Sequence, residues 1–305
     1  MDSSELNATP GATTSPQVRD PIIRVRGLTC AYGRRTVLRD VSFDVGRGEV
    51  FVVIGGSGCG KSTLLKHMIG LLAPVSGSVH LSGRDIVTAE GDERLGILKG
   101  IGVMYQMGAL FGSMTVQQNV GLPLEEYTDL PEEAIEVISR VKLSMVGLEK
   151  FGQVMPSELS GGMVKRAAIA RAMALDPAIL FLDEPSAGLD PVTSAELDRV
   201  VRSLAENLGI TFVIVSHELP SILSIADRVI LLDAHAKGIV AEGDPRELHA
   251  SSTDPRVRRF FDREARVPDP PSNGQVPFGV QQPPGAGGAG ETAQTSEPKA
   301  AEARP

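Results

Sequence analysis

Residues 55–63 read GGSGCGKST and residues 179–185 read ILFLDEP, and together they carry the groups needed to hold and break a phosphoanhydride. The first stretch matches G-x-x-x-x-G-K-[ST] and lies between an apolar run fit for a strand and a helical pattern, the context of a phosphate-binding loop. Glycines let successive backbone N–H groups turn inward around a phosphate, and the N-terminus of the following helix adds partial positive charge. On this reading Gly55, Ser57, Gly58, Cys59, Gly60 and Thr63 cradle a nucleotide phosphate chain, Lys61 reaches its β- and γ-phosphates, and Ser62 ligates Mg2+. In the second stretch Asp183 ends an apolar strand where it can hold Mg2+, usually through water, and Glu184 can polarise an attacking water. An acidic turn before Pro185 would account for that pair alone, but a phosphate loop in the same chain favours the catalytic reading.

A second glycine-rich helix entrance lies far downstream, in SELSGGMVKRAAIARAM at 157–173. Ser160 reads as an ordinary helix N-cap, yet the free N–H groups that favour a cap also suit an anion. If both entrances bind phosphate, one of them can serve a second chain.

These groups need a scaffold. The run from Val50 to Ile54 reads as a buried parallel strand, and Leu64, Leu65, Met68 and Leu72 have the spacing of a helix after the phosphate loop. GSVHLSG, AILFLD, TFVIVSH and RVILLD read as further strands, with turns at Gly33 and around residues 46–48. Asp190 suits the N-cap of a helix beginning at Pro191, and Gly209 its end. Buried strands alternating with helices predict an α/β fold with a mixed, mainly parallel sheet. The interval from 61 to 183 is longer than one crossover needs, and its middle, about 112–175, has a helical pattern expected to form an inserted helical subdomain. Residues 1–20, rich in Ser, Thr and Pro, and the Pro/Gly-rich tail 267–305 are expected to be disordered, leaving 21–266 as the folded unit.

Composition narrows the partners. The chain has 305 residues, a formal net charge of −8 and two cysteines, Cys30 and Cys59. The negative field disfavours non-specific binding to nucleic acid, so no nucleic-acid partner is expected. Two cysteines, one inside the phosphate loop, read as free thiols in a reducing compartment. The N-terminus lacks a basic and apolar leader, and no apolar run approaches the roughly 18 residues of a membrane span.

With LSGGM at 159–163 added, the motif set resembles the ATP-binding cassette (ABC) ATPase family over about residues 22–262. The resemblance implies a RecA-like P-loop NTPase fold with an N-terminal antiparallel β subdomain, and a head-to-tail dimer in which Ser160, Gly161 and Gly162 of one chain face ATP held by the other. It also implies that Tyr32 stacks on adenine and that Gln106 senses Mg2+ and the attacking water. Asp190, in SAGLD, belongs to the loop near the second subunit, and His217 contacts the γ-phosphate. Met163 departs from the Gln most common at that position and cannot offer an amide hydrogen bond. LSGGMVKR, YQMGALFGSMTVQQNV and SHELPSILSIADRVILL are similar to ATPase subunits of Mla-type, MCE-linked phospholipid transporters, which maintain outer-membrane lipid asymmetry.

That narrower resemblance implies an integral membrane permease, an MCE-domain lipid-binding protein and a STAS-domain regulator as partners, at the cytoplasmic face of a bacterial inner membrane. Val276 and Phe278 would anchor the tail on the neighbouring ATPase, with chance apolar residues in a disordered tail as the alternative. Phe111, Met114 and Val116, an apolar group just after Gln106, are candidates for the permease groove, with core packing as the alternative. An importer motor for an amino acid, a metal or another small solute is the runner-up. A soluble ATPase acting on DNA or ribosomes is disfavoured by one cassette, no heptad run and an acidic balance, and a binding module without turnover by the presence of Lys61, Glu184 and His217.

Overall fold

The computed structural model describes residues 20–265, with side chains described through residue 262; the expectations for the leading segment and for the tail, including Val276 and Phe278, lie outside the described residues. The chain opens with an antiparallel hairpin, β1 (Ile23–Tyr32) and β2 (Arg35–Val45), followed by β3 (Val50–Gly55), α1 (Lys61–Met68), β4 (Ser76–Leu81) and the short β5 (Arg84–Asp85). After α2 (Gly91–Lys99) and β6 (Ile101–Met104) come α3 (Val116–Tyr127), α4 (Glu132–Met145) and α5 (Gly161–Ala172), with 3-10 turns at Glu149–Phe151 and Pro156–Glu158. The remainder is β7 (Ile179–Asp183), α6 (Pro191–Leu208), β8 (Thr211–Val215), α7 (Leu219–Ile225), β9 (Arg228–Asp233), β10 (Gly238–Gly243), α8 (Pro245–Ser251) and α9 (Pro255–Ala265).

Two sheets result. One is antiparallel, in the order β2-β1-β4-β5; the other has the order β10-β9-β3-β8-β7-β6, parallel throughout except for β10 at its edge. Burial follows from this. β1 alternates, with Ile23, Val25, Leu28 and Cys30 inward, as a sheet covered on one face requires, whereas β3 and β8 are buried at every position because they are covered on both. On one face Phe51, Val53, Phe181 and Val213 pack with the antiparallel sheet and α1; on the other Val52, Leu180, Phe212 and Ile214 pack with α5, α6 and α7.

The caps of α6 lie where the sequence places them: Asp190 accepts from the N–H groups of Val192 and Thr193, Pro191 opens the helix, and Gly209 ends it in the left-handed region. The first helix is shorter than its apolar spacing predicts. α1 stops at Met68, Gly70 turns left-handed at φ 72°, and Leu71 and Leu72 fall outside it. A Cβ at Gly70 would meet Ile86 Cγ1 at 2.8 Å, so the chain bends there to let the segment after β5 approach. At the far end of the central sheet the Arg228 guanidinium spans Glu49, Glu242 and the carbonyl of Asp44, joining the two sheets.

Candidate functional site

The parallel strands bring the chemistry to one edge. β8 lies between β3 and β7, and Val215 is level with both Val53 and Asp183, so the carboxyl ends of all three strands open on the same side. Ligands of parallel α/β sheets bind beyond these ends. The phosphate loop leaves β3, the carboxylates leave β7, and His217 leaves β8.

The loop geometry requires glycine at its ends. Gly55 has φ 149°, and a Cβ there would lie 2.5 Å from the carbonyl O of Leu232 and 2.6 Å from Cys59 Sγ. Gly60, at φ 110°, precedes α1 without a capping side chain, and α1 has no acidic residue in its first turn. That leaves the helix N-terminus electropositive. Lys61 Nζ donates to the carbonyls of Gly55 (2.8 Å) and Gly56 (3.3 Å), lying back over the loop.

A cavity of ≈ 1030 Å³ covers this edge; Tyr32, Gly55, Ser57, Gly58, Gly60, Lys61, Ser62, Thr63, Gln106, Glu184 and His217 all line it. Cys59 does not: its side chain is buried beneath the loop. Asp183 stands behind the lining, with its Oδ1 3.4 Å from Ser62 Oγ. Burial pushes the Asp183 carboxyl up, opposed by the Ser62 hydrogen bond and by the charges of Lys66 and Lys61. Glu184 sits at φ 49°, an uncommon region for a residue with a side chain, held by its N–H to the Val215 carbonyl at 2.9 Å. This turn aims its carboxylate at the segment just after β8, where His217 Nδ1 lies 2.8 Å from Glu184 Oε2.

Ser160, Gly161, Gly162 and Asp190 are not part of that lining. Ser160 caps α5 by accepting from Met163 N–H at 3.3 Å, and it and Gly161 are exposed. Gly162 is buried against α6, where a Cβ would fall 2.2 Å from Thr193 Cγ2. The Asp190 carboxylate is engaged as a cap, with Thr193 Oγ1 donating to it at 2.5 Å.

Among the docking candidates, Phe111 is 52% exposed and Met114 half-buried. Val116 is a correction: it is fully buried at the start of α3, its N–H bonded to the Val154 carbonyl, and core packing explains it. Three features gave no local sequence signal: Met107, 84% exposed beside Gln106; Lys165, which reaches the Gln106 backbone; and Arg256, Arg259 and Phe260, which line the cavity from α9.

A phosphate loop, a strand-end carboxylate pair and a histidine just past the end of the next strand, converging on one end of the sheet, define a P-loop nucleoside triphosphatase. The profile of the ABC transporter family matches residues 38–187. The "Intermembrane phospholipid transport system ATP-binding protein MlaF" of Escherichia coli is 41% identical over 250 residues, covering 82% of this chain and 91% of that protein. The "Probable ribonucleotide transport ATP-binding protein mkl" of Mycobacterium tuberculosis is 40% identical over 252 residues, covering 83% of this chain and 69% of that protein. Among solved structures, the dimeric post-hydrolysis state of the ATP-binding cassette MJ0796 bound to ADP and Pi has a TM-score of 0.66 at 30% identity, covering 73% of this chain and 98% of that one. The chain belongs to the ABC transporter family, as an ATP-binding, ATP-hydrolysing cassette.

Proposed function

We propose that this protein is the ATP-hydrolysing motor subunit of an ABC transporter that drives phospholipid transport between membranes. The observation that carries the cargo is the 41% identity with the Escherichia coli phospholipid transport subunit, extending over 91% of that protein. The motor reading rests on the clustering of Lys61, Glu184 and His217 around one cavity.

In this reading Tyr32 stacks on adenine, the loop N–H groups and Lys61 hold the phosphates, and Glu184 takes the proton of the attacking water. His217, hydrogen-bonded to Glu184, contacts the γ-phosphate. Mg2+ suits the hard oxygen pair of Ser62 and Asp183, with the amide of Gln106 as a further ligand; when bound it neutralises phosphate charge. Because Ser160, Gly161, Gly162 and Asp190 lie off their own chain's cavity, they act across a head-to-tail dimer on the partner's ATP.

The folded unit, 21–266, is the cassette, and the helices within about 112–175 form its helical subdomain. The exposed Met107 and Phe111 next to Gln106 suit an apolar coupling helix of an integral membrane permease. On α4 the exposed Val137, Val141 and Met145 recur every fourth residue, an apolar stripe that a STAS-domain regulator could cover. An MCE-domain protein would carry the lipid beyond the permease. No helix among the described residues is long and apolar enough to cross a membrane, and association with the cytoplasmic face of a bacterial inner membrane through the permease accounts for its placement.

The test is affinity purification of the tagged full chain from its native membranes, with protein and lipid analysis of what accompanies it. Recovery of an integral permease, an MCE-domain protein and phospholipid is the expected result. A solute permease in their place would keep the ATPase and discard the cargo; ribosomes or DNA-repair proteins would overturn the transport reading.

A further inference from the structure

Lys165 lies on α5, five residues after Ser160, and is 7% exposed. Among the described residues no carboxylate lies within ion-pair distance of it, although the charge of Glu184 acts on it from further off, and its hydrogen bond runs to the main-chain carbonyl of Gln106. Desolvating an ammonium for one carbonyl and a carboxylate beyond contact is a poor way to stabilise a fold, since an apolar side chain of similar length would fill the same space without that cost. The contact is nonetheless part of a larger arrangement. Further along the same helix Arg171 donates to the carbonyls of Ala109 (2.7 Å) and Gly108 (3.1 Å). Gly108 itself lies close on α5: at φ 74°, a Cβ there would be 3.1 Å from Val164 Cγ1. Two cations of one helix therefore hold the backbone that carries Gln106, while the Gln106 side chain lines the nucleotide cavity.

We propose that Lys165 is a positioning residue for ATP hydrolysis: by holding the Gln106 carbonyl against α5 it fixes where the Gln106 side chain enters the cavity. It also ties that loop to the helix that opens with Ser160, Gly161 and Gly162. The proposal rests on the reading of Gln106 as a group that acts at the nucleotide.

The test compares the full-length protein with Lys165→Met, which cannot donate, Lys165→Arg, which can, Gln106→Ala, and the Lys165→Met/Gln106→Ala double variant. The expected result is a kcat lowered about tenfold by Lys165→Met, with KM and the Kd of a fluorescent ATP analogue changed less than about twofold. Lys165→Arg should recover most of the rate, and the double variant should be no slower than Gln106→Ala, because a residue acting through Gln106 adds nothing once that side chain is gone. Unchanged kcat in Lys165→Met beside a slow Gln106→Ala, or losses that multiply in the double variant, would overturn the clamp. Unchanged kcat in Gln106→Ala would overturn the underlying role of Gln106, and the clamp with it. If Lys165→Met does not fold, amide hydrogen exchange of residues 105–109 in Lys165→Gln decides: faster exchange confined to that segment is expected, and wild-type exchange there would overturn the proposal.

Discussion

His217 Nδ1 lies 2.8 Å from Glu184 Oε2, and the pair joins the ends of neighbouring parallel strands. Glu184 is held in a left-handed turn by the Val215 carbonyl, so strand register sets the direction of its carboxylate. Glu184→Gln keeps the shape and removes the base. Turnover should fall ~100-fold or more, while ATP is still bound and the ATP-bound dimer accumulates. Phosphate release and size-exclusion chromatography with ATP check this; a variant as fast as wild type would remove Glu184 from the chemistry.

Gly162 packs where a Cβ would meet Thr193 Cγ2 at 2.2 Å. Gly162→Ala should therefore cost about 1–3 kcal/mol of stability by overpacking, measured by urea unfolding. Thr193→Ser deletes the obstructing methyl and keeps the hydroxyl that donates to Asp190. Combined with Gly162→Ala it should restore most of the loss; additive losses would show that the clash is not the cause.

The sequence and structure agree best where the signal is local. The phosphate loop, the apolar β3 and both caps of α6 are set by neighbouring residues, so spacing alone reveals them. Where α1 ends is decided by Ile86 closing on Gly70, a contact between distant segments, and the apolar pattern through Leu72 could not disclose it. The same holds for the site. Lys61, Asp183 and Glu184 belong to recognisable motifs, but Lys165 acts on a carbonyl 59 residues away, and in LSGGMVKR it reads only as half of a basic pair. For Val116 the sequence leaves groove and core both open, because its inward direction depends on where α3 begins.

Asp190 offers a test of the α6 cap through acid. The Thr193 hydroxyl and the N–H groups of Thr193 and Val192 hold its carboxyl below the ordinary range. A depressed folded value means the cap stabilises fully above the unfolded value of about 3.9 and loses that contribution as pH falls through the folded one. Asp190→Asn also accepts at the cap but does not titrate there. The Tm advantage of wild type over Asp190→Asn should narrow as the pH is lowered through this window, and a constant difference would contradict the assignment.

Burial pushes the Cys30 thiol up to about 12 and raises that of Cys59 as well. Both should resist alkylation near neutral pH in the folded protein and react promptly once it is unfolded, because the thiolate is the nucleophile. Mass spectrometry of the labelled chain reads this out; prompt native labelling of Cys59 would mean that the phosphate loop opens readily.

The central claim is tested most directly with the complex purified from its own membrane, reconstituted into vesicles carrying fluorescent phospholipid, with transfer to acceptor vesicles followed over time. ATP should raise the transfer rate in the wild-type complex and leave it at the no-nucleotide level in the Glu184→Gln complex. Phospholipid transfer that ignores both ATP and Glu184, in a complex that still hydrolyses ATP, would contradict the account.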